Sequence, residues 1–378
     1  MRNVAILGNK TKELLSRNPS VSTINLHGLP VNCGIVATRP PAFEGGDQKD
    51  RTKALVNVKA FSCNYRDQAL ILIASRKGPE NSFYTIGSDF VGEVIAVGEA
   101  VEGFAVGDRV IGDYSYVGAR FAETPYRQGV TTNHSSAEYQ SFDANKIVKV
   151  PSAMPDEVAG AFSVNAQTAY SIVRKLEVNE GDSVLVTAAR SHTSMFAINA
   201  LRKYKTNVYA MTTSKGYEEQ FARLGVKELL QVDPQLNNLG EDPRVLEVAR
   251  AVGGFDHVID PYFDVYLPKV VYVLAPGGKY ISCGFWSQYH HLIDEKAQAP
   301  DPNLRLQHAL IYAIANNLQI LFNCLGDTND LRNAIDDYAA GDLNVVIDSV
   351  HTGNEVGAFL TRAYMAPDRF GKVVYQYN

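Results

Sequence analysis

Between residues 20 and 150 the apolar positions come in short runs broken by Gly, Pro, Asn and Asp. The clearest are Cys33–Thr38, Ala54–Ala60 and Val91–Val97, and Gly98 to Val110 holds glycine turns between apolar pairs. Runs of this length between turn residues predict strands, and together they predict a barrel-like β domain. From about residue 158 the pattern changes. Val158–Leu176 is a helix-length apolar segment, Ser183–Thr187 a buried strand and Ser194–Tyr204 a helix. The alternation continues through strand Asn207–Thr213, helix Glu218–Leu224, strand Glu228–Val232 and helix Arg244–Val252. It ends with strand His257–Asp260, helix Val265–Leu274 and strand Lys279–Cys283. Strands alternating with helices over short connections predict a doubly wound parallel sheet with right-handed crossovers. The tail adds a helix over Asp330–Ala340 and closing strands Val345–Ile347 and Lys372–Tyr375. The expected division is an α/β domain over 159–322 beside a β domain over 1–158 that is completed by 323–378.

A chain of 378 residues with 46 % apolar content can bury two cores. The formal net charge is −5 with Lys and Arg scattered singly, so the basic footprint of a nucleic-acid binder is missing. No apolar run approaches the length of a membrane span. Near the amino terminus only Val4–Leu7 is apolar, too short for the core of a signal peptide. Four widely spaced cysteines, Cys33, Cys63, Cys283 and Cys324, read as reduced thiols of a cytoplasmic protein and not as a zinc ribbon or a disulfide scaffold. Internal repeats and low-complexity segments are missing too.

A doubly wound sheet binds ligands at the carboxyl ends of its strands, where strand order reverses. The first such turn follows Thr187, and a dinucleotide site would want glycines there. The sequence offers Ala188-Ala-Arg-Ser-His-Thr-Ser194 instead. Arg190 and His192 can add positive charge and Ser191, Thr193 and Ser194 hydroxyl donors to phosphate; the alternative is an ordinary helix cap. After the second strand comes Met211-Thr-Thr-Ser-Lys-Gly-Tyr217, with no acid before Glu218. An acid there would bind the adenosine ribose diol, whereas Thr213, Ser214, Lys215 and Tyr217 suit a 2′-phosphate. The expectation is therefore NADP(H) over NAD(H), the alternative being a solvated loop with an incidental lysine.

Several phrases then recur in a recognisable order: Asn64-Tyr-Arg-Asp67, Gly87-Ser-Asp-Phe-Val-Gly-Glu-Val, Val97-Gly with Gly107-Asp-Arg-Val, Ala137-Glu-Tyr and Gln167-Thr-Ala-Tyr170. They are followed by Leu274-Ala-Pro-Gly-Gly-Lys and Phe370-Gly-Lys-Val-Val. In them the chain resembles a medium-chain dehydrogenase/reductase over about residues 30–378, and most of all the zinc-free quinone oxidoreductase and enoyl reductase branch. The first 20 or so residues lie outside the resemblance. It implies a GroES-like β domain beside a Rossmann domain, with a nicotinamide cofactor in the cleft between them. Zinc-dependent relatives supply a Cys, a His–Glu pair and a second Cys; matched phrase by phrase these fall on Asn64, Ser88-Asp89 and Val164, a set unsuited to zinc. Cys63 is one position off, and residues 112–136 contain no cysteine for a structural zinc lobe.

Without a metal, reduction of a conjugated C=C bond is the least demanding chemistry, with Tyr65 as the candidate hydrogen-bond donor or proton source at the carbonyl. Its bland alternative is a packed tyrosine. The resemblance further implies that Asn64 lines the nicotinamide end, that Thr168 approaches the nicotinamide or its ribose, and that the Cys283-Gly284 turn passes near that ribose. Arg66 and Asp67 read as a structural ion pair and His134 as a surface histidine. Trp286–Pro300 reads as a substrate-side loop with Trp286, Tyr289 and His290 as walls. The family pattern also implies a homodimer paired around Leu318–Asn323, the alternative being that this apolar segment is simply core. Taken together, these readings point to an NADPH-dependent reductase of an enone, quinone or enoyl thioester. Two alternatives stand beside it. One is an alcohol or carbonyl oxidoreductase using Tyr65 as acid/base. The other is a binding protein that kept the fold after its phosphate loop lost every glycine.

Overall fold

The computed structural model describes residues 1–115, 131–289, 292 and 303–378. Along the chain the strands are β1 (Arg2–Leu7), β2 (Ser22–Leu26), β3 (Leu29–Ala37), β4 (Lys53–Ser62), β5 (Phe83–Thr85), β6 (Asp89–Val97), β7 (Arg109–Gly112), β8 (Tyr139–Asp143) and β9 (Ile147–Lys149). They continue with β10 (Ser183–Val186), β11 (Asn207–Thr212), β12 (Glu228–Gln231), β13 (Phe255–Asp260), β14 (Leu274–Ser282), β15 (Gln319–Phe322), β16 (Ile347–Thr352) and β17 (Lys372–Gln376). The helices are α1 (Asn9–Leu14), α2 (Tyr65–Lys77), α3 (Asp156–Ala159), α4 (Ser163–Leu176), α5 (His192–Leu201), α6 (Glu218–Arg223), α7 (Pro243–Val252), α8 (Phe263–Val270), α9 (Asn303–Ala315), α10 (Thr328–Ala340) and α11 (Val356–Met365). The described residues form two compact units: Met1–Val164 with Leu292 and Val346–Asn378, and the remainder from Asn165 to Val345.

The first unit holds two sheets. One has the order β2-β3-β1-β5, all antiparallel. The other has the order β16-β17-β4-β6-β7-β9, with β8 also on β4. β4 pairs with β6 along one edge; its other edge is shared by β8, on Lys53–Asn57, and β17, on Ala60–Ser62. Sharing requires bends, and the register of β4 against β6 shifts at Leu55/Val56 and at Val58/Ala60. Two features were not expected from sequence. The amino-terminal residues are an integral strand: β1 lies between β3 and β5, with Val4 and Ala5 fully buried. Second, α2 interrupts the all-β texture with 13 helical residues.

The second unit is a six-stranded parallel sheet ordered β12-β11-β10-β13-β14-β15. Central β10 shows the buried-both-faces signature of a parallel strand, with Val184, Leu185 and Val186 all fully buried. On one side Leu185, Tyr209, Leu230, Phe255, Val258 and Tyr280 pack together into a continuous core. Strand order reverses between β10 and β13, so the carboxyl ends of those strands frame a ligand crevice. Among the described residues no helix is long and apolar enough to cross a membrane.

Candidate functional site

At the reversal point the strand ends are tied together by one carboxyl group. Asp260, the last residue of β13, is fully buried and accepts hydrogen bonds from Thr187 Oγ1 (2.7 Å), the Tyr262 N–H (2.8 Å) and the Tyr280 hydroxyl. Burial pushes its pKa up to about 6, against the opposing pull of those donors. Sequence reasoning missed this residue; an acid closing a buried apolar strand was the available signal.

The turn after β10 keeps the shape of a glycine loop without its glycines. Ala188 adopts φ +42°, a left-handed conformation that a Cβ disfavours. The Ala189 N–H then bonds to Met211 O (2.9 Å), and the Ser191 N–H to Ala188 O (2.7 Å), before α5 begins. The side chains expected to hold phosphate divide into two groups. Ser194 is fully buried and donates its hydroxyl to Thr187 O (2.9 Å). Thr193 donates to Asn165 Oδ1 (3.0 Å), which fastens α5 to α4, and buried His192 packs edge-on against Phe196 at 5.0 Å. Here the Ser194 and Thr193 hydroxyls each donate their single proton within the protein, and the His192 ring packs on its own helix, so all three take part in building the loop. Ser191 and Arg190 are only half-buried.

Arg190 reaches across to the next strand. Its Nη1 donates to Ser214 Oγ at 2.7 Å, and its guanidinium carbon lies 4.4 Å from the centre of the Tyr217 ring. Two loops judged separately from sequence thus form one cationic group at the ends of β10 and β11. Thr213 and Lys215 are exposed beside it.

Thr168 is buried in α4. Cys283 and Gly284 follow β14, and burial pushes the Cys283 thiol up to about 12, which makes it a poor nucleophile at neutral pH. Gly284 is there because the loops run close: a Cβ on it would meet Pro261 O at 2.9 Å. Trp286, 40 % exposed, stands edge-on to Tyr262 at 5.3 Å, and its backbone N–H bonds to Asp264 Oδ1 (2.6 Å). His290 and most of the 286–300 segment lie outside the described residues, as does the Tyr289 side chain.

The first unit carries a second polar cluster. Asn64 precedes α2, and its backbone N–H bonds to Asp67 Oδ2 (2.7 Å), the capping arrangement that starts the helix. Its Nδ2 donates to Asp89 Oδ2 (2.7 Å) and Ser88 Oγ (3.0 Å), and Ser88 Oγ donates to Asp67 Oδ2 (2.6 Å). Its Oδ1 accepts from Lys372 Nζ at 2.5 Å, which also lies 3.4 Å from Asp89 Oδ2. Asp89 Oδ1 accepts the Val164 N–H at 2.8 Å. Burial lowers the pKa of Lys372 and raises that of Asp67. Arg66 Nη1 is 3.8 Å from Asp67 Oδ1, so the Arg66–Asp67 pair is present. Tyr65, first residue of α2, is half-buried. His134 is exposed and bonded to Thr85 Oγ1 (2.8 Å).

Comparison with known proteins agrees with this architecture. The model of the alcohol dehydrogenase GroES-like domain matches residues 50–156. A solved NAD-dependent alcohol dehydrogenase superposes over the full length of both chains with a TM-score of 0.74 at 24 % identity, which shows the shared fold. The chain thus carries a GroES-like domain and has the fold of the medium-chain dehydrogenases/reductases. Among curated proteins it is 26 % identical over 241 residues to a phenolphthiocerol/phthiocerol polyketide synthase of Mycobacterium tuberculosis, covering 64 % of this chain and 10 % of that one. The chain therefore spans about a tenth of the length of the first curated relatives it matches. It is 25 % identical over 283 residues to acryloyl-coenzyme A reductase of Metallosphaera sedula, covering 70 % of this chain and 76 % of the relative.

The cluster around Asn64 is the place to test for a metal, because in the phrase-by-phrase match above the zinc ligands of zinc-dependent medium-chain dehydrogenases would fall on Asn64, Ser88-Asp89 and Val164. The residues do not fit one. Asp89 is the sole anion of the set, and both of its oxygens already accept hydrogen bonds. Burial pushes the neighbouring Cys63 thiol up, away from the thiolate a metal needs. An anionic phosphate fits better at the end of β10, where Ala188 takes left-handed backbone and α5 presents its N-terminus beside Arg190.

Proposed function

We propose that this chain is a zinc-independent, NADPH-dependent reductase of an activated C=C bond: an enone, a quinone or an enoyl thioester. The observation that carries the reading is the Arg190 guanidinium held by Ser214 at 2.7 Å over the Tyr217 ring. A fixed cation at the end of the second strand, with no acid there, favours a ribose 2′-phosphate over a free diol.

In this reading the bound nicotinamide supplies the hydride. Arg190, Ser214 and Tyr217 hold the 2′-phosphate, with Lys215 and Thr213 beside them. The N-terminal amides of α5 and the Ser191 hydroxyl face the diphosphate. Thr168 and the Cys283-Gly284 turn lie toward the nicotinamide ribose. Asn64, whose amide is committed to Asp89, Ser88 and Lys372, holds the start of α2, and Tyr65 offers its O–H to the substrate carbonyl as charge develops on the oxygen. The acryloyl-coenzyme A reductase relative supports an enoyl thioester as the substrate class. β15 forms the outer edge of its sheet, with Phe322 59 % exposed on it and Ile311 and Ile314 of α9 63 % and 78 % exposed. That edge supports a homodimer joined through β15.

The test is a titration with NADPH and NADH followed by fluorescence of Trp286, the single tryptophan, and then turnover with enone and enoyl-thioester substrates. Micromolar NADPH binding with much weaker NADH, and NADPH oxidation by the thioester, are expected. Binding of neither nucleotide at millimolar concentration would hand the fold to a non-catalytic binding role.

A further inference from the structure

The cluster matched to the zinc ligands of zinc-dependent medium-chain dehydrogenases contains a cation made by the chain itself. Lys372 projects from β17, the Lys372 side chain is 4 % exposed, and the partner Asp89 is fully buried. Its Nζ bonds to Asn64 Oδ1 and lies 3.4 Å from Asp89 Oδ2, so it contacts two of the positions that match zinc ligands. Asn64 in turn bonds to the third, Ser88, through Nδ2.

We propose that the Lys372 ammonium is the resident cation of this site, standing among the positions that match zinc ligands and holding them in place by its charge. It joins β17 to the start of α2 and to the start of β6, and it fixes the orientation of the Asn64 amide. With the ammonium at Oδ1, the amide hydrogens point to Ser88 and Asp89, and the start of α2 with Tyr65 is held in place. Lys372 is thus a positioning residue. Charge balance agrees with the assignment: Asp89 pairs with Lys372 and Asp67 with Arg66. Two buried carboxyls with one cation removed would leave an unpaired charge, the costly case for a buried pair. The inference deepens the metal-free reading above, but its test needs neither turnover nor nucleotide, so the reductase assignment can fail while this one stands.

The experiment compares thermal unfolding of the full chain with Lys372→Met and Lys372→Ala, the latter in n-propylammonium chloride or in the uncharged n-propanol. Both substitutions are expected to lower the melting temperature by about 5–10 °C. Propylammonium should restore Lys372→Ala by at least half of that loss, saturably and with no effect on the unsubstituted chain; propanol should not. If Lys372→Ala does not fold unaided, the same two additives are compared by the yield of protein refolded from urea. A Lys372→Met chain that melts like the original, or a rescue by propanol equal to that by propylammonium, overturns the proposal, because shape and not charge would then be what the site requires.

Discussion

The Arg190 guanidinium lies 4.4 Å from the centre of the Tyr217 ring while donating to Ser214 Oγ, so residues from two consecutive strand ends form a single cationic group. If this group grips the 2′-phosphate, Arg190→Ala should weaken NADPH binding by roughly 10- to 100-fold, the worth of a charge-assisted contact. NADH binding should change less than about threefold. Trp286 fluorescence titration reads both; an equal loss for the two nucleotides would assign Arg190 to loop structure.

Ala188 at φ +42° carries a strain of about 1–2 kcal/mol that glycine would not. Glycine costs about 0.5–1 kcal/mol in unfolded-chain entropy, so Ala188→Gly should be neutral to about 1 kcal/mol stabilising. Urea unfolding checks this. A clear destabilisation would mean that the methyl group packs in a way that outweighs the backbone.

Asp260 gives a pH dependence with a definite sign. Its pKa rises from an ordinary carboxylate value to about 6 in the folded chain. Between about pH 4 and 6 the folded state therefore holds a proton that the unfolded state has released, and stability falls as pH rises through this window. Two pKa units correspond to about 3 kcal/mol. Asp260→Asn should flatten the profile between pH 4 and 6 relative to the original chain. Parallel profiles would show that Asp260 titrates normally.

Tyr65→Phe removes one hydroxyl at the start of α2. As a donor to the substrate carbonyl it should reduce kcat roughly 100-fold with little change in KM or in NADPH affinity. Unchanged kcat on an enoyl thioester would return Tyr65 to a packing role.

The edge strand β15 invites a direct test of assembly. Phe322→Glu combined with Ile314→Glu changes only exposed positions, so folding should be preserved while a dimer is converted to monomer. Light scattering on a sizing column measures this. A monomer before substitution would remove the dimer from the proposal.

Much of the second unit was readable in the chain. β10 (Ser183–Val186) is a continuous apolar run, and β11, β13 and β14 each carry a short apolar segment between polar turns, the mark of parallel strands covered on both faces. The first unit was harder. Helix α2 carries its own signals: Asn64 with Asp67 three residues on, an apolar stretch, then Arg76, Lys77 and Gly78. They are masked because its neighbours are all strands. β1 is a short apolar run whose partner β3 begins over twenty residues later, and no local pattern marks such a pairing.

At the level of single side chains the division is sharper. Residue identity alone settles which chemical groups are available: a glycine-free turn, hydroxyls and a lysine in place of an acid, and amide, hydroxyl and isopropyl groups at positions matched to zinc ligands. These depend on residue type and order along the chain. What each group is engaged with comes from the fold. It turned Ser194, Thr193 and His192 inward and joined Arg190 to Ser214. It also brought Lys372 to Asn64 across 308 positions of sequence. A hydrogen bond is fixed by distances of a few ångströms, and those distances are set by strand pairing and burial, to which spacing along the chain is blind.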